Sequence, residues 1–287
     1  MPFVAGLPWR NTFSKVLLNG PPLSFKTTSL LTFPRPLHVI GIPGEQGLST
    51  IRHDPAGGVY VYGWEETVLA DGTSTSTSPT VIWQELQAIT REVLTGKRGP
   101  VHTVACDGIH KLYDLLRGVR GWSPELEDRG KTSGAMHHDF RTYLSLVLGS
   151  TVPQKVMTCF DGVEQDEVEK GQKAPKLIYP GLYGYMAKDV MGYFPVTIHA
   201  KRVGVGPQQH GVWELQAVGN THGAGLHVPP ALLRRFPAEL EVTLDRATGD
   251  VKGGWHTVEK VLAAIEQEDT AAQIATTGQD VAAKGTS

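Results

Sequence analysis

The stretch Gly20-Pro-Pro-Leu-Ser-Phe-Lys-Thr-Thr28 carries the residue types of a phosphate cradle. Such a cradle needs backbone N–H groups turned toward oxyanions, a helix start behind them, a lysine for the outer phosphates and a hydroxyl for Mg²⁺. Counted from Gly20, the pattern G-x-x-x-x-G-K-[ST] asks for glycine at 25, lysine at 26 and Ser or Thr at 27. The chain has Phe25, Lys26 and Thr27, so the loop departs from the pattern at one fixed position. Pro21, Pro22, Leu23, Ser24, Phe25, Lys26, Thr27 and Thr28 are the candidate nucleotide contacts together with Gly20, and Thr27 is a candidate Mg²⁺ ligand. Glycine permits backbone conformations that are costly for a residue with a Cβ. Phe25 is therefore expected to keep ordinary φ/ψ and swing its ring away, leaving Leu23 and Ser24 to shape the loop.

A Mg²⁺–phosphate site also needs a carboxylate at the end of a neighbouring strand. The run "VHTVACD" is an apolar strand ending in Asp107, which makes Asp107 the second metal candidate. Hydrolysis needs a further carboxylate to orient water. Glu45, in the turn "PGEQG", is the first candidate; Glu65 and Glu66 come second, and Asp161 is placed to sense a γ-phosphate. The plainer reading makes Lys26 a solvated helix-start lysine, Asp107 an N-cap for "GIHKLYDLL", and the other acids surface charge.

The elements that must position these residues are legible around them. "KVLLNG" reads as a buried strand before the loop, with a short helix over 27–31 after it. "PLHVIGI" reads as a second buried strand over 37–42, and "GGVYVYGW" alternates in strand fashion. "TVIWQELQAITREVLTG" puts Ile82, Leu86, Ile89 and Val93 on one helical face, with Thr80 as a candidate cap and Gly96 at the stop. Residues 70–80 and 121–137 read as loops, and "HHDFRTYLSLVLG" returns to helix. "QKVMTCFDG" is another buried strand ending in Asp161. "VEQDEVEKGQKAP" reads as a charged excursion. "PVTIHAKRVGV" and "GVWELQAVG" pair as an antiparallel hairpin, "PPALLRRFP" forms a short helix, and "WHTVEKVLAAIEQE" closes the fold as an amphipathic helix. Apolar strands alternating with helices predict an α/β sheet, mostly parallel and covered by helices. Ligands in such sheets sit at the carboxyl ends of the strands, where Gly20, Glu45, Asp107 and Asp161 fall.

Composition narrows the function classes. The 287 residues suffice for one large core, and 40% apolar with 20% charged residues is ordinary globular usage. A formal charge of -2 offers no global attraction to nucleic acid, so any DNA contact must come from a local basic patch. Two cysteines in apolar runs, Cys106 and Cys159, make neither a disulfide framework nor a metal site. No run approaches the length of a membrane span and the N-terminus does not read as a signal peptide, so a cytoplasmic location without membrane contact is expected.

The order "LLNGPPLSFKTT", "PLHVIGIPGEQGL", "VHTVACDGIHKLYDLL", "DFRTYLSLVL", "KVMTCFDG" and "GLYGYMAKDVMGYFPVTIHAKR" resembles the phage-borne nucleotide-binding proteins of AAA/RecA-like type, which include the Sak-type single-strand-annealing recombinases. The resemblance spans about residues 13–265. It implies a RecA-like P-loop NTPase core, placed over 13–266 with a C-terminal antiparallel hairpin; residues 1–12 are read as an N-terminal arm, and the Ala/Thr/Gly/Gln-rich stretch over 267–287 reads as a disordered tail. It further implies ATP with Mg²⁺, an ATPase acting with single-stranded DNA in recombination or replication, and a homo-oligomer. By position Lys26 and Thr27 match the phosphate and Mg²⁺ contacts, Asp107 the second-motif aspartate and Glu45 the acid after strand two. Phe25, Gly108, Phe160 and the Asn220-Thr221-His222 loop depart from the group's pattern. The alternative is a degenerate nucleotide-binding scaffold that does not hydrolyse ATP; a metabolite kinase is a third, weaker reading.

Other constellations read more plainly. Adjacent His137 and His138 on a helix point about 100° apart and do not share a metal easily. Lys201-Arg202 and Arg234-Arg235 are candidates for a DNA groove or for reaching a neighbour's phosphates. Tyr179, Tyr183, Tyr185, Tyr193 and Phe194, near Lys176 and Lys188, are base-stacking material or sheet-edge packing.

Overall fold

The computed structural model describes residues 10–44, 47–64, 67–68, 74–75, 78–123, 125, 129–164, 177–180, 190–204, 209–216, 225–228, 230–245 and 248–284. Glu45, Glu65, Glu66, Lys176, Tyr183, Tyr185, Lys188 and the 220–222 loop lie outside them, as do the 1–9 part of the arm and most of the charged excursion.

In chain order the elements are β1 (Lys15–Gly20), α1 (Lys26–Ser29), β2 (Leu37–Gly41), β3 (Val59–Tyr62), β4 (Thr67–Val68), β5 (Ser74–Thr75), α2 (Pro79–Leu94), β6 (Thr103–Asp107), α3 (Ile109–Arg120), α4 (Arg129–Leu148) and β7 (Gln154–Glu164). There follow β8 (Leu177–Pro180), β9 (Val196–Val203), β10 (His210–Glu214), β11 (Gly225–Leu226), α5 (Pro230–Leu233), β12 (Glu239–Leu244), β13 (Val251–Gly253) and α6 (Trp255–Lys284). The main sheet runs β13-β12-β10-β9-β1-β7-β6-β2-β3. From β9 to β3 every neighbour is parallel, whereas β10, β12 and β13 add on antiparallel. This is the mostly parallel α/β sheet with antiparallel C-terminal strands that the sequence predicts.

The strands explain the topology. β1, β2 and β6 are apolar and buried on both faces, as helix-covered parallel strands must be. Side chains alternate between two cores. Leu17, Cys106, Met157 and Cys159 face α2, α3 and α4 on one side. Val16, Leu18, Ala105, Val156 and Ile198 face Phe33, Phe236 and the Trp255 end of α6 on the other. Because β1 pairs with both β7 and β9, the loop after Gly20 emerges in the middle of the sheet's carboxyl edge.

Four boundaries differ from the sequence reading. Helix α2 starts at Pro79 behind an N-cap at Ser78 rather than at Thr80, since proline is preorganised for the first helical position. Helix α4 starts at Arg129, inside the expected 121–137 loop. Gly130 and Gly134 disfavour helix locally, but burial of Met136, Phe140, Tyr143, Leu144 and Val147 outweighs them. Strand β12 was not foreseen, although "ELEVTL" alternates with Leu240 and Val242 inward. Helix α6 runs past residue 266, where the sequence reading ends the core, to Lys284.

Candidate functional site

The cleft lies at the carboxyl edge of the parallel strands and encloses about 350 Å³. Its walls include Pro22, Leu23, Ser24, Phe25, Lys26, Thr27 and Thr28 of the loop, Gly47, Ser49 and Thr50 opposite, and Asp107, Thr158 and Phe160 at its base. The fold therefore brings the loop and Asp107 together.

Thr27 Oγ1 lies 3.1 Å and 2.9 Å from the two carboxylate oxygens of Asp107, 80 residues away. Asp107 is buried, and a second hydroxyl, that of Thr158, donates to its Oδ1. Thr158 Oγ1 in turn accepts the Gly108 N–H at 2.8 Å, so it orients both the carboxylate and the turn behind it. The hydroxyl and carboxylate oxygens of Thr27 and Asp107 are the hard donors that suit Mg²⁺. The donor set fits the metal.

Lys26 is only 6% exposed. Its Nζ donates to the carbonyls of Gly20 and Pro21 at 2.7 Å each and to Ser24 Oγ at 3.1 Å. It also sits 4.8 Å over the ring of Phe160, a position favoured by the ring's negative face. His110 stacks on Phe160 with centroids 4.0 Å apart. Burial, with the nearby Lys111 and Lys26 charges, pushes the His110 pKa down to about 4, which leaves that ring neutral at pH 7. The lysine is thus held at the loop by groups that an anionic ligand can replace.

The expectation for Phe25 is corrected. It does not keep ordinary φ/ψ: it adopts φ 66° and ψ 11°, the left-handed conformation that the pattern's glycine would take freely. Leu23, at φ 62°, does carry part of the loop's curvature as expected. Each left-handed non-glycine residue costs about 1–2 kcal/mol. A left-handed residue followed by a helical one turns successive N–H groups into a concavity suited to anions. The loop therefore has the glycine-like backbone at 25 without the glycine. Leu23 is also 75% exposed, at the outer lip of the cleft.

Asp161 takes no place in the cleft. It is two residues beyond Cys159, on the α2–α4 face of the sheet, and its Oδ2 lies 3.1 Å from His199 Nε2. The other ring nitrogen, Nδ1, is 2.7 Å from Glu214 Oε2. Two carboxylate acceptors on one imidazole call for both nitrogens to donate, the charged form. Burial alone would lower the His199 pKa, but the hydrogen bonds and charges of Asp161 and Glu214 outweigh it and the net shift is upward. Lys201 completes the network through Glu214 and Glu239 at 2.6 and 2.7 Å. Raised in the folded state, His199 contributes stability that is fully present below its unfolded pKa near 6.5 and lost as pH rises through the folded value. The urea midpoint is expected to fall as pH rises through that window, and His199→Gln to flatten this part of the profile. A wild-type profile that His199→Gln leaves unchanged would refute the assignment.

Sequence reasoning does not single out Thr158, His199 or Glu214, and it marks Phe160 only as a departure from the resembled group's pattern. Thr158 left a signal, a hydroxyl inside the apolar run "KVMTCF". Of the basic pairs, Lys201 is engaged by acids, and Arg235 is held by Glu268 at 2.7 and 2.8 Å. Arg202 and Arg234 are exposed. His137 bonds the Tyr113 hydroxyl, Asp139 is paired with Arg120, and no metal-binding cluster occurs among the described residues. Among the described residues no helix is long and apolar enough to cross a membrane.

No family model and no curated protein matches the chain. Among solved structures it is similar to the flagellar accessory protein FlaH from Methanocaldococcus jannaschii, at 8% identity over 84% of this chain and 89% of that one, with a TM-score of 0.39. It is also similar to a KaiC-like protein from the hyperthermophilic archaeon Pyrococcus horikoshii, at 11% identity over 84% and 89% of the two chains, with a TM-score of 0.41. At these values the likeness carries no residue-level argument.

Proposed function

We propose that this chain binds ATP with Mg²⁺ in the cleft between the 20–28 loop and Asp107. The observation that supports this most is the meeting of Thr27 and Asp107 across 80 residues, beside a buried lysine whose ammonium bonds groups of its own loop and lies over the Phe160 ring. A core-filling role would explain an apolar pair there. It does not explain a buried carboxylate with two hydroxyls turned on it at the base of the cleft. Lys26 and the loop amides would hold the β- and γ-phosphates, and Thr27 and Asp107 the Mg²⁺. The ion would supply charge neutralisation between the phosphate oxygens.

The finer reading is a RecA-like ATPase, phage-encoded and oligomeric, that couples ATP to work on single-stranded DNA. The order of motifs along the chain supports it, with Arg202 and Arg234 as exposed cations for a phosphate backbone. A second reading, binding without hydrolysis, is favoured by a separate observation. Asp107 is the one carboxylate among the described residues lining the cleft, and Thr27 and Thr158 already occupy it. Glu45 would then decide between the two.

ATP binding by calorimetry, followed by turnover with and without single-stranded DNA, tests these readings in order. Mg²⁺-dependent ATP binding is expected. Its absence overturns the proposal, and binding with background turnover that Glu45→Gln leaves unchanged selects the non-hydrolysing reading.

A further inference from the structure

The phosphate loop rests on neighbouring strands at two points, one on the parallel strand β9 and one on the antiparallel strand β10. A Cβ on Gly20 would lie 2.1 Å from the carbonyl oxygen of Ala200 on β9, so the loop leaves β1 in direct backbone contact with that strand. Five residues on, the side chain of Phe25 reaches β10. A Cβ built on Gly211 would fall 3.0 Å from Phe25 Cβ, 3.4 Å from its Cγ and 3.4 Å from the Cβ of Val242 on β12. Gly211 has no local reason to be glycine: it lies within a regular ladder, paired with Arg202 and Val242, where glycine weakens a strand. It is also absent from the residues with a positive φ. What its bare Cα provides is room for a phenylalanine held in a glycine's conformation.

We infer that Phe25 and Gly211 are a matched pair, in which the space normally left by the loop's own glycine has moved to strand β10 and the antiparallel extension sets the shape of the phosphate loop. The inference rests on the nucleotide-binding reading and adds a positioning residue to it. Phe25 is held left-handed by packing of its side chain between Gly211 and the loop, so that its carbonyl accepts the first helical bond, from Ser29 N–H at 2.8 Å. The anion-facing amides of the loop are then aligned by a strand that touches no phosphate. The extension becomes part of the binding machinery.

A double-mutant cycle tests the pair, read by Mg·ATP affinity and by melting temperature of the free protein. Gly211→Val, with Gly211→Ala as the milder step if valine impairs folding, is expected to push Phe25 off β10 and weaken ATP binding about tenfold. Phe25→Gly removes the ring that Gly211 makes room for, and its own Mg·ATP affinity is the baseline for the second half of the cycle. In the Phe25→Gly background the Gly211 substitution should no longer cost affinity, and it should raise the melting temperature because valine and alanine suit a strand better. Equal losses in both backgrounds overturn the pairing, as does a Gly211 substitution that is silent in wild type. A wild-type chain that binds no nucleotide overturns the proposed function itself. Binding by wild type without coupling overturns the pairing alone.

Discussion

Lys26→Ala is expected to weaken ATP binding by about 10²–10³-fold, the loss of two or more charge-assisted hydrogen bonds to phosphate. The free protein holds the ammonium against two carbonyls and one hydroxyl of its own loop. These are neutral acceptors, and phosphate oxygens carry full charge, so the exchange on binding favours the ligand. Removing the lysine leaves the Gly20 and Pro21 carbonyls at the edge of an open cleft, where water can take its place. The variant should therefore fold, with an unchanged far-ultraviolet spectrum and a melting temperature within a few degrees of wild type. Calorimetric titration with ATP decides the matter. An affinity within threefold of wild type would mean that the lysine only packs over Phe160 and that the phosphates go elsewhere.

Asp107→Asn carries the second large effect, and its signature is a loss of Mg²⁺ dependence. The carboxylate accepts from Thr27 through both oxygens and from Thr158 through Oδ1. An isosteric amide keeps one acceptor, and the hydroxyls can turn to accept from the amide nitrogen, so the loss of stability should be about 1–2 kcal/mol. The charge is what disappears. With it goes the attraction for a divalent ion, and the gain in ATP affinity on adding Mg²⁺ should shrink at least about tenfold. Metal-free ATP should bind as well as before or slightly better, because a buried negative charge near the polyphosphate has gone. Parallel titrations with Mg²⁺ and with chelator measure both arms. An undiminished Mg²⁺ effect in the variant would remove Asp107 from the metal site and leave it as a structural bracket between β6 and β7.

Both predictions start from residues that the chain announces openly. A lysine and threonine six and seven positions past a strand-ending glycine, and an aspartate closing a buried strand eighty residues later, form a pattern with a chemical purpose. The alternation of apolar strands with helices was equally legible, because a strand covered on both faces must be apolar throughout. From these the sheet, its carboxyl edge and the location of the cleft follow.

The rest depended on contacts between residues distant in sequence. Local rules assign Phe25 to ordinary φ/ψ, since a Cβ is disfavoured in the left-handed region. Tertiary packing reverses this, because Gly211, 186 positions away, offers the room that makes the strained conformation tolerable. Residues 121–137 read as loop because they are rich in Gly, Ser and charge, yet burial of one apolar face carries the helix back to Arg129. Asp161 reads from sequence as a strand-ending, ligand-sensing acid, but β7 runs on to Glu164 and strand alternation turns Asp161 to the other face, where His199 takes it up. Thus spacing along the chain determined which residues could form a phosphate site, because the loop, its lysine and its hydroxyl lie within one turn of backbone. Only the tertiary structure decided the loop's conformation and which acid joins it, because those depend on the face each strand presents and on the side chain that the next strand leaves out.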